Sequence, residues 1–292
     1  MKTNPLKKLV LWFDTHAVDQ STMTGTSHVD WVRVLPFIVV HLACFAVIWV
    51  GWSVAAVSVA VGLFVVRMFA ITGFYHRYFS HRSFSTSRAA QFVFAVLGAA
   101  AAQRGPLWWA AHHRKHHRFA DTEQDVHSPR QHGFWWAHMG WITAPGNFPT
   151  DLAQVKDFER YPELRFLDRF DVLVPLLLGI ALFLMGGWQF VIWGFFVSTV
   201  VLFHSTCVIN SLAHMMGRRR YDTKDDSRNS LILALITFGE GWHNNHHKHP
   251  GSTRMGFYWW EIDITYYMLW LLEKCRVIWD LNPVPRRAYE AA

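Results

Sequence analysis

From Val34 to Val66 the chain carries no Asp, Glu, Lys or Arg, and from Val172 to Gly217 again none. Charged side chains are costly at the centre of a bilayer, and roughly 20 apolar residues cross its hydrocarbon. Each block, with a few flanking residues, is long enough for two helical crossings. Each also has a turn signal in its middle, Gly51-Trp52-Ser53 in the first and Gly186-Gly187-Trp188-Gln189 in the second. The pattern predicts an all-α integral membrane protein with two helical hairpins, the spans lying near 34–50, 54–75, 172–186 and 189–209. Buried helices of a soluble protein are the competing reading. Uninterrupted blocks of 33 and 46 uncharged residues argue against it. The apolar run 89–102 is only about 14 residues long and suits a buried or re-entrant helix. The stretch 258–281 mixes aromatic with charged residues, as an interfacial amphipathic helix does.

Charge supplies the orientation. Of the 28 Lys and Arg, four precede Val34, twelve lie between His76 and Phe170 and eleven follow Gly217. One, Arg67, falls within the second span, and the two hairpin turns have none. Cytoplasmic segments hold the Lys/Arg excess. Both termini and all large polar segments are therefore expected in the cytoplasm: an N-terminal segment 1–33, then a membrane domain 34–292 with a cytosolic cap from 76–170 and 210–292. The net charge of +7 suits anionic headgroups or an anionic substrate, and no nucleic-acid motif accompanies it. Cys44, Cys207 and Cys275 show neither metal spacing nor a disulfide framework. The apolar run Leu9 to Phe13 is too short for a signal-peptide core.

The 18 histidines are not scattered. His76 and His81 form H-x4-H where the second span ends. His113, His116 and His117 form H-x-x-H-H, and His243, His246 and His247 form a second copy. Positions i, i+3 and i+4 of a helix share a face, so each H-x-x-H-H can aim three imidazoles at one point. H-x4-H fits an α-helical stripe poorly and works best where a helix ends or loosens. Asn210 and His214 add a polar i, i+4 pair at the end of the fourth span. Neutral imidazole is a common ligand for iron, zinc and copper, and nine exceed what one metal takes. Two metals would use them. There is no His-Glu-x-x-His, and Glu-x-x-His occurs once, from Glu240 to His243, which disfavours a zinc protease and a carboxylate-rich di-iron bundle. Oxygen chemistry on iron remains, as does metal storage or transport. A transporter would carry ionisable residues inside its spans. Here the spans hold only His41, Arg67 and His204.

The boxes His76-Arg77-Tyr78-Phe79-Ser80-His81, His113-Arg114-Lys115-His116-His117 and His243-Asn244-Asn245-His246-His247 resemble those of membrane fatty acyl desaturases, above all the acyl-CoA (delta-9, stearoyl-CoA-type) branch. Asn210-Ser211-Leu212-Ala213-His214 is similar to that branch's Asn-Ser-x-x-His element. The stretches Asp125 to Pro129, Gly133 to Trp141 and Gly239 to Trp242 are similar too, and the likeness spans roughly residues 35–265. It implies four transmembrane helices, a cytosolic cap and two irons held by His76, His81, His113, His116, His117, His214, His243, His246 and His247. Asn210 would act through a metal-bound water. The family uses O2 and two electrons to place a cis double bond in an acyl chain. The chain resembles a bacterial member, expected in the inner membrane. No fused cytochrome b5 domain is visible, so a separate donor is expected: a ferredoxin or rubredoxin system, or free cytochrome b5 with its reductase. The resemblance leaves open whether the acyl chain is carried on coenzyme A, a carrier protein or a phospholipid. A hydroxylase on the same scaffold is the alternative enzyme, and a metal carrier the non-enzymatic one.

Selecting one C–C bond in a featureless chain requires an apolar tunnel of fixed length. Trp108, Trp109, Trp135 and Trp141 are candidates for its wall, with interfacial anchoring as the plainer reading. Asp121, Asp125, His127 and Glu240 are candidates to orient ligand imidazoles through their second nitrogens, the usual outer-shell device. Arg77, Arg82 and Arg218-Arg219-Arg220 read as positive-inside residues or as partners of Asp222, Asp225 and Asp226 rather than as contacts to an acyl carrier.

Overall fold

The computed structural model describes residues 9–17 and 28–290. The Lys7-Lys8 pair and most of the expected N-terminal segment lie outside these residues. Among the described residues three helices are long and apolar enough to cross a membrane: α1 (Trp31–Val50), α2 (Val54–Ser80) and α6 (Leu173–His214). Asp30 and Ser53 cap the first two, their side chains accepting from the Arg33 and Ala56 amides. Between α2 and α6 lie α3 (Arg88–Ala99), α4 (Pro106–Phe119) and α5 (Pro162–Arg169). After α6 come α7 (His243–Lys248) and α8 (Ile264–Lys274).

The backbone of α6 is not helical at Gly186 (φ −156°, ψ 22°) and Gly187 (φ 62°, ψ −155°). Only glycine enters the second of these regions readily. A Cβ placed on Gly194 would lie 3.2 Å from Leu182 Cδ2. In a continuous helix, residues twelve apart are roughly 18 Å apart. The chain therefore reverses at the glycine pair, and α6 is two antiparallel arms. Side chains tie this turn to the one between α1 and α2. Ser53 Oγ donates to Gln189 Oε1 (2.7 Å), Gln189 Nε2 to the Val50 carbonyl (2.9 Å) and Trp193 Nε1 to the Gly51 carbonyl (2.8 Å).

Within the spans, Arg67 is buried and its bonds go to neutral acceptors: the Leu63, Ala100 and Gly194 carbonyls, Ser198 Oγ and Thr199 Oγ1. His41 and His204 meet through their Nε2 atoms at 3.1 Å, joining α1 to α6. The main apolar core gathers the C-terminal part of α2 (Met68, Phe69, Ile71, Phe74, Tyr75) with Leu107 of α4, Leu164 of α5 and Leu269 of α8. A two-stranded antiparallel ribbon, β1 (Ser85–Thr86) with β2 (Ile278–Trp279), pairs Ser85 with Trp279 and Thr86 with Ile278. It pins the C-terminal segment beside the first histidine box.

Arg77 is not a surface cation: it is buried, with Nη1 on Asp263 Oδ2 (3.0 Å) and Nη2 on Asp263 Oδ1 (2.9 Å) and Glu240 Oε1 (3.0 Å). A buried guanidinium needs such partners because its desolvation is expensive.

Candidate metal centre

The last three turns of α2 explain the H-x4-H spacing. Residues Ala70–Ser80 form a π-helix, whose hydrogen bonds run from i to i+5. The His81 amide donates to the His76 carbonyl (3.2 Å). Five-residue spacing thus brings both imidazoles to one side, their centroids 4.9 Å apart. On α4, which starts with Pro106 after Gly105, His113, His116 and His117 share one face. Helix α7 is short and is held from behind. Asn229 Oδ1 accepts from the Asn244 and Asn245 amides, while Asn244 Nδ2 donates to the Tyr221 carbonyl and Asn245 Nδ2 to Glu261 Oε2. The two asparagines of His-Asn-Asn-His-His therefore anchor the helix on one side while its histidines point to the other.

The nine motif histidines gather into two groups. His76, His81, His113, His117 and His246 present one ring nitrogen each, all within 4.8 Å of one another; His116, His214, His243 and His247 do the same. In the first group the Nε2 atoms of His76 and His246 are 2.9 Å apart, those of His81 and His113 2.8 Å, and those of His117 3.0 Å from His113 and 2.9 Å from His246. In the second, His214 Nε2 lies 3.0 Å from His243 Nε2. His247 Nε2 is buried with no hydrogen-bond partner among the described residues. Adjacent nitrogens bound about 2.1 Å from a metal at right angles stand about 3.0 Å apart. Imidazole nitrogens gathered at that spacing fit a metal in each group. Asn210 shares a small cavity with His116 and His243.

Behind the rings lie carboxylates. His76 Nδ1 pairs with Glu240, His116 Nδ1 with Asp125 (3.0 Å), His214 Nδ1 with Asp121 (2.7 Å) and His247 Nδ1 with Asp225 (2.8 Å). Such partners fix the ring orientation and the tautomer, leaving Nε2 to face forward. Asp225, which the sequence suggests as a partner for the Arg218-Arg219-Arg220 run, instead faces His247. Nothing in the local sequence separates it from Asp222 and Asp226, which do face Arg219. His127 stacks on His116, centroids 4.5 Å apart, with its Nδ1 3.6 Å from Asp125.

Burial, reinforced by neighbouring imidazoles, holds His81, His113, His117, His243 and His246 well below the ordinary histidine pKa. Burial likewise takes His127 down to about 3 and His247 to about 4, against the opposing pull of Asp125 and Asp225. These rings are neutral, the form that binds metals. Burial opposes ionisation of Asp121, but the His214 hydrogen bond and charge outweigh it and leave its pKa at about 2. The same contest leaves Asp125 and Asp225 low, through His116 and His247.

A cavity of about 900 Å³ leads to the groups. Trp108, Trp109 and Trp141 line it. Trp109 stacks on His113 (5.1 Å, 21° between planes), and Trp108 on Trp141 (5.6 Å, 11°). Trp135 does not line it. It is 72% exposed, which corrects its assignment to a tunnel wall. A second cavity of about 50 Å³ continues beyond, toward Met68, Ile71 and Thr237. Trp109, His113, Thr206 and Asn210 line both.

The helical fold thus sets two polyhistidine groups, each able to hold a metal, beside an apolar cavity that could take a long apolar chain. The sequence comparisons agree. The fatty acid desaturase family model matches residues 49–275, and the chain belongs to that family, whose members introduce a double bond into acyl chains. It is 39% identical over 248 residues to an sn-1 stearoyl-lipid 9-desaturase of Anabaena variabilis, covering 84% of this chain and 91% of that one. Against an sn-2 palmitoyl-lipid 9-desaturase of Nostoc sp. it is 37% identical over 252 residues, covering 83% and 87%. An icosanoyl-CoA 5-desaturase of Limnanthes douglasii is 37% identical over 249 residues, covering 84% and 70%.

Proposed function

We propose that the chain is an O2-dependent di-iron desaturase of lipid-linked acyl chains, placing a cis double bond with two electrons from a separate donor such as a ferredoxin. The observation that carries this reading is the pair of histidine groups where the two cavities meet. An acyl chain running from the large cavity into the small one would pass Trp109, His113, Thr206 and Asn210, and so present one bond to the site. Of the three named relatives, two act on acyl lipids at position 9, which favours that carrier and position over a coenzyme A ester.

Five histidines would hold one iron and four the other, with Asn210 positioning a water at the second. When bound, the irons supply the oxidising power that an unactivated C–H bond requires and that no side chain provides. Glu240, Asp121, Asp125 and Asp225 hold the imidazoles in their forward-facing tautomer. Trp109, flat against His113, forms one wall beside the reacting carbons, and the apolar lining keeps water away. The reaction removes two hydrogens from the chain, consumes O2, two electrons and two protons, and releases two waters. The reversal within α6 supports four crossings, with the metal centre and both termini in the cytoplasm where Lys and Arg concentrate.

Expression in a desaturase-deficient bacterial host with a ferredoxin and its reductase tests the function. New cis-monounsaturated acyl groups in the membrane lipids are expected. A hydroxylated product without a new alkene would overturn it.

A further inference from the structure

The large cavity is not apolar throughout. Two guanidiniums, Arg33 and Arg104, and one carboxylate, Asp171, lie on its wall. Arg104 Nε stands 3.0 Å from Asp171 Oδ2, and its Nη2 donates to the Phe148 carbonyl (2.9 Å). Arg33 lies over the Phe148 ring at 4.3 Å. Its Nη1 is buried and has no hydrogen-bond partner among the described residues. A buried guanidinium N–H left without an acceptor is costly, so an unpaired one on a cavity wall points to a ligand that accepts. The backbone agrees: Ala102 (φ 56°) and Arg104 (φ 71°) both adopt the left-handed conformation in the loop that presents Arg104. Non-glycine residues held there cluster at ligand sites.

Position narrows the ligand. Arg33 is in the first turn of α1, where a span leaves the headgroup layer. Leu35, Val39, Leu176, Ile180 and Phe183 line the same cavity and are each 44–51% exposed. They belong to α1 and the first arm of α6. The cavity therefore opens sideways, between two membrane-spanning elements, toward lipid. A ligand entering there has its acyl chain in the hydrocarbon and its polar group at the level of Arg33.

We propose that Arg33 and Arg104 form a seat for the phosphate of a membrane glycerolipid, whose acyl chain enters between α1 and α6. Planar guanidiniums suit phosphate oxygens, which accept several N–H groups at once. Asp171 tempers the seat by holding part of Arg104. This inference rests on the desaturase reading, since the same lipid would be the substrate.

The test measures binding to the purified, detergent-solubilised full chain after chelator treatment, so that it does not depend on activity. Phosphatidylglycerol, diacylglycerol with the same acyl chains and palmitoyl-CoA are compared by native mass spectrometry. The wild type should prefer phosphatidylglycerol over diacylglycerol by at least about tenfold, the fold-change expected for a charge-assisted hydrogen bond. Arg33→Gln should abolish the preference and Arg33→Lys should retain part of it. Asp171→Asn should strengthen phosphatidylglycerol binding severalfold, a gain that misfolding cannot imitate. Equal binding of the two lipids by wild type, or an unchanged preference in Arg33→Gln, overturns the seat. Tighter binding of palmitoyl-CoA than of phosphatidylglycerol overturns its assignment to glycerolipid. If Arg33→Gln does not accumulate, Asp171→Asn decides: unchanged or weaker binding overturns the proposal. Acyl desaturation by the untreated wild type is measured in parallel. Its loss alone would indict the desaturase reading, and its presence without headgroup preference would indict only the seat.

Discussion

Replacing Asp225 by Asn isolates one carboxylate behind the second histidine group. Asp225 Oδ2 accepts from His247 Nδ1 at 2.8 Å, while Oδ1 accepts from Thr223 Oγ1 and the Ser227 amide, both at 3.0 Å. Asparagine keeps the Oδ1 contacts and the volume. It places an NH2 group opposite the His247 N–H, so donor faces donor. The charge-assisted bond is lost, about 1.5–3 kcal/mol. The ring must then flip its proton to Nε2 or turn, and either removes a forward-facing lone pair. Loss of such an outer partner typically costs about 10–100-fold in metal affinity. The assay is iron retention by the purified chain during titration with a competing chelator. The wild type should hold about two irons per chain. Asp225→Asn should release one of them at a chelator concentration lower by about one to two orders of magnitude. Asp226→Asn, which alters a partly exposed neighbour paired with Arg219 and Arg130, should leave both in place. Identical retention by wild type and Asp225→Asn would refute the role given to the carboxylate.

Three further outcomes are expected. Arg77→Met leaves Asp263 and Glu240 buried without their cation, and breaking such a pair costs about 3–5 kcal/mol, so thermal unfolding in detergent should occur at markedly lower temperature; an unchanged midpoint would contradict it. Burial lifts Asp168 to about 6, against the hydrogen bonds from Thr150 and the Trp108 amide. Between about pH 4 and 6 the folded chain keeps a proton that the unfolded chain has released, so stability falls as pH rises through that window, by about 3 kcal/mol in total. Asp168→Asn should flatten that slope in thermal scans, and an unaltered slope would remove Asp168 as its source. Trp135→Ala should leave the fatty acid profile of the complemented host as it is, because that ring is outside the cavity, whereas Trp109→Ala should shift the position or yield of the double bond. The reverse pattern would relocate the tunnel.

How much could be read in advance differs residue by residue. His113, His116 and His117 were legible because α-helical spacing alone puts them on one face, and they stand on one face of α4. His76 and His81 were legible as a pair but not as a geometry. The stretch that aligns them winds as a π-helix, whose i to i+5 bonds the α-helical spacing rule does not supply. The Gly186-Gly187 reversal could be read, since only glycine readily adopts the combination of φ 62° and ψ −155° found at Gly187. Arg77 could not: a cation beside a span looks like a positive-inside residue until Asp263, far along the chain, is brought to it.

By itself the sequence determined the membrane-length apolar blocks, the glycine turn signals within them and the nine motif histidines that the structure gathers. These follow from charge-free length and residue spacing, which are one-dimensional quantities. Only the tertiary structure decided the split into groups of five and four, because each group draws on separate chain segments: α2, α4 and α7 for one, α4, α6 and α7 for the other. It also decided which acids stand behind the rings, which tryptophans face the cavity, and that Arg33 is left with an unpaired N–H on its wall. Those outcomes depend on distances between residues remote in sequence, and hydropathy and motif spacing contain no such distances.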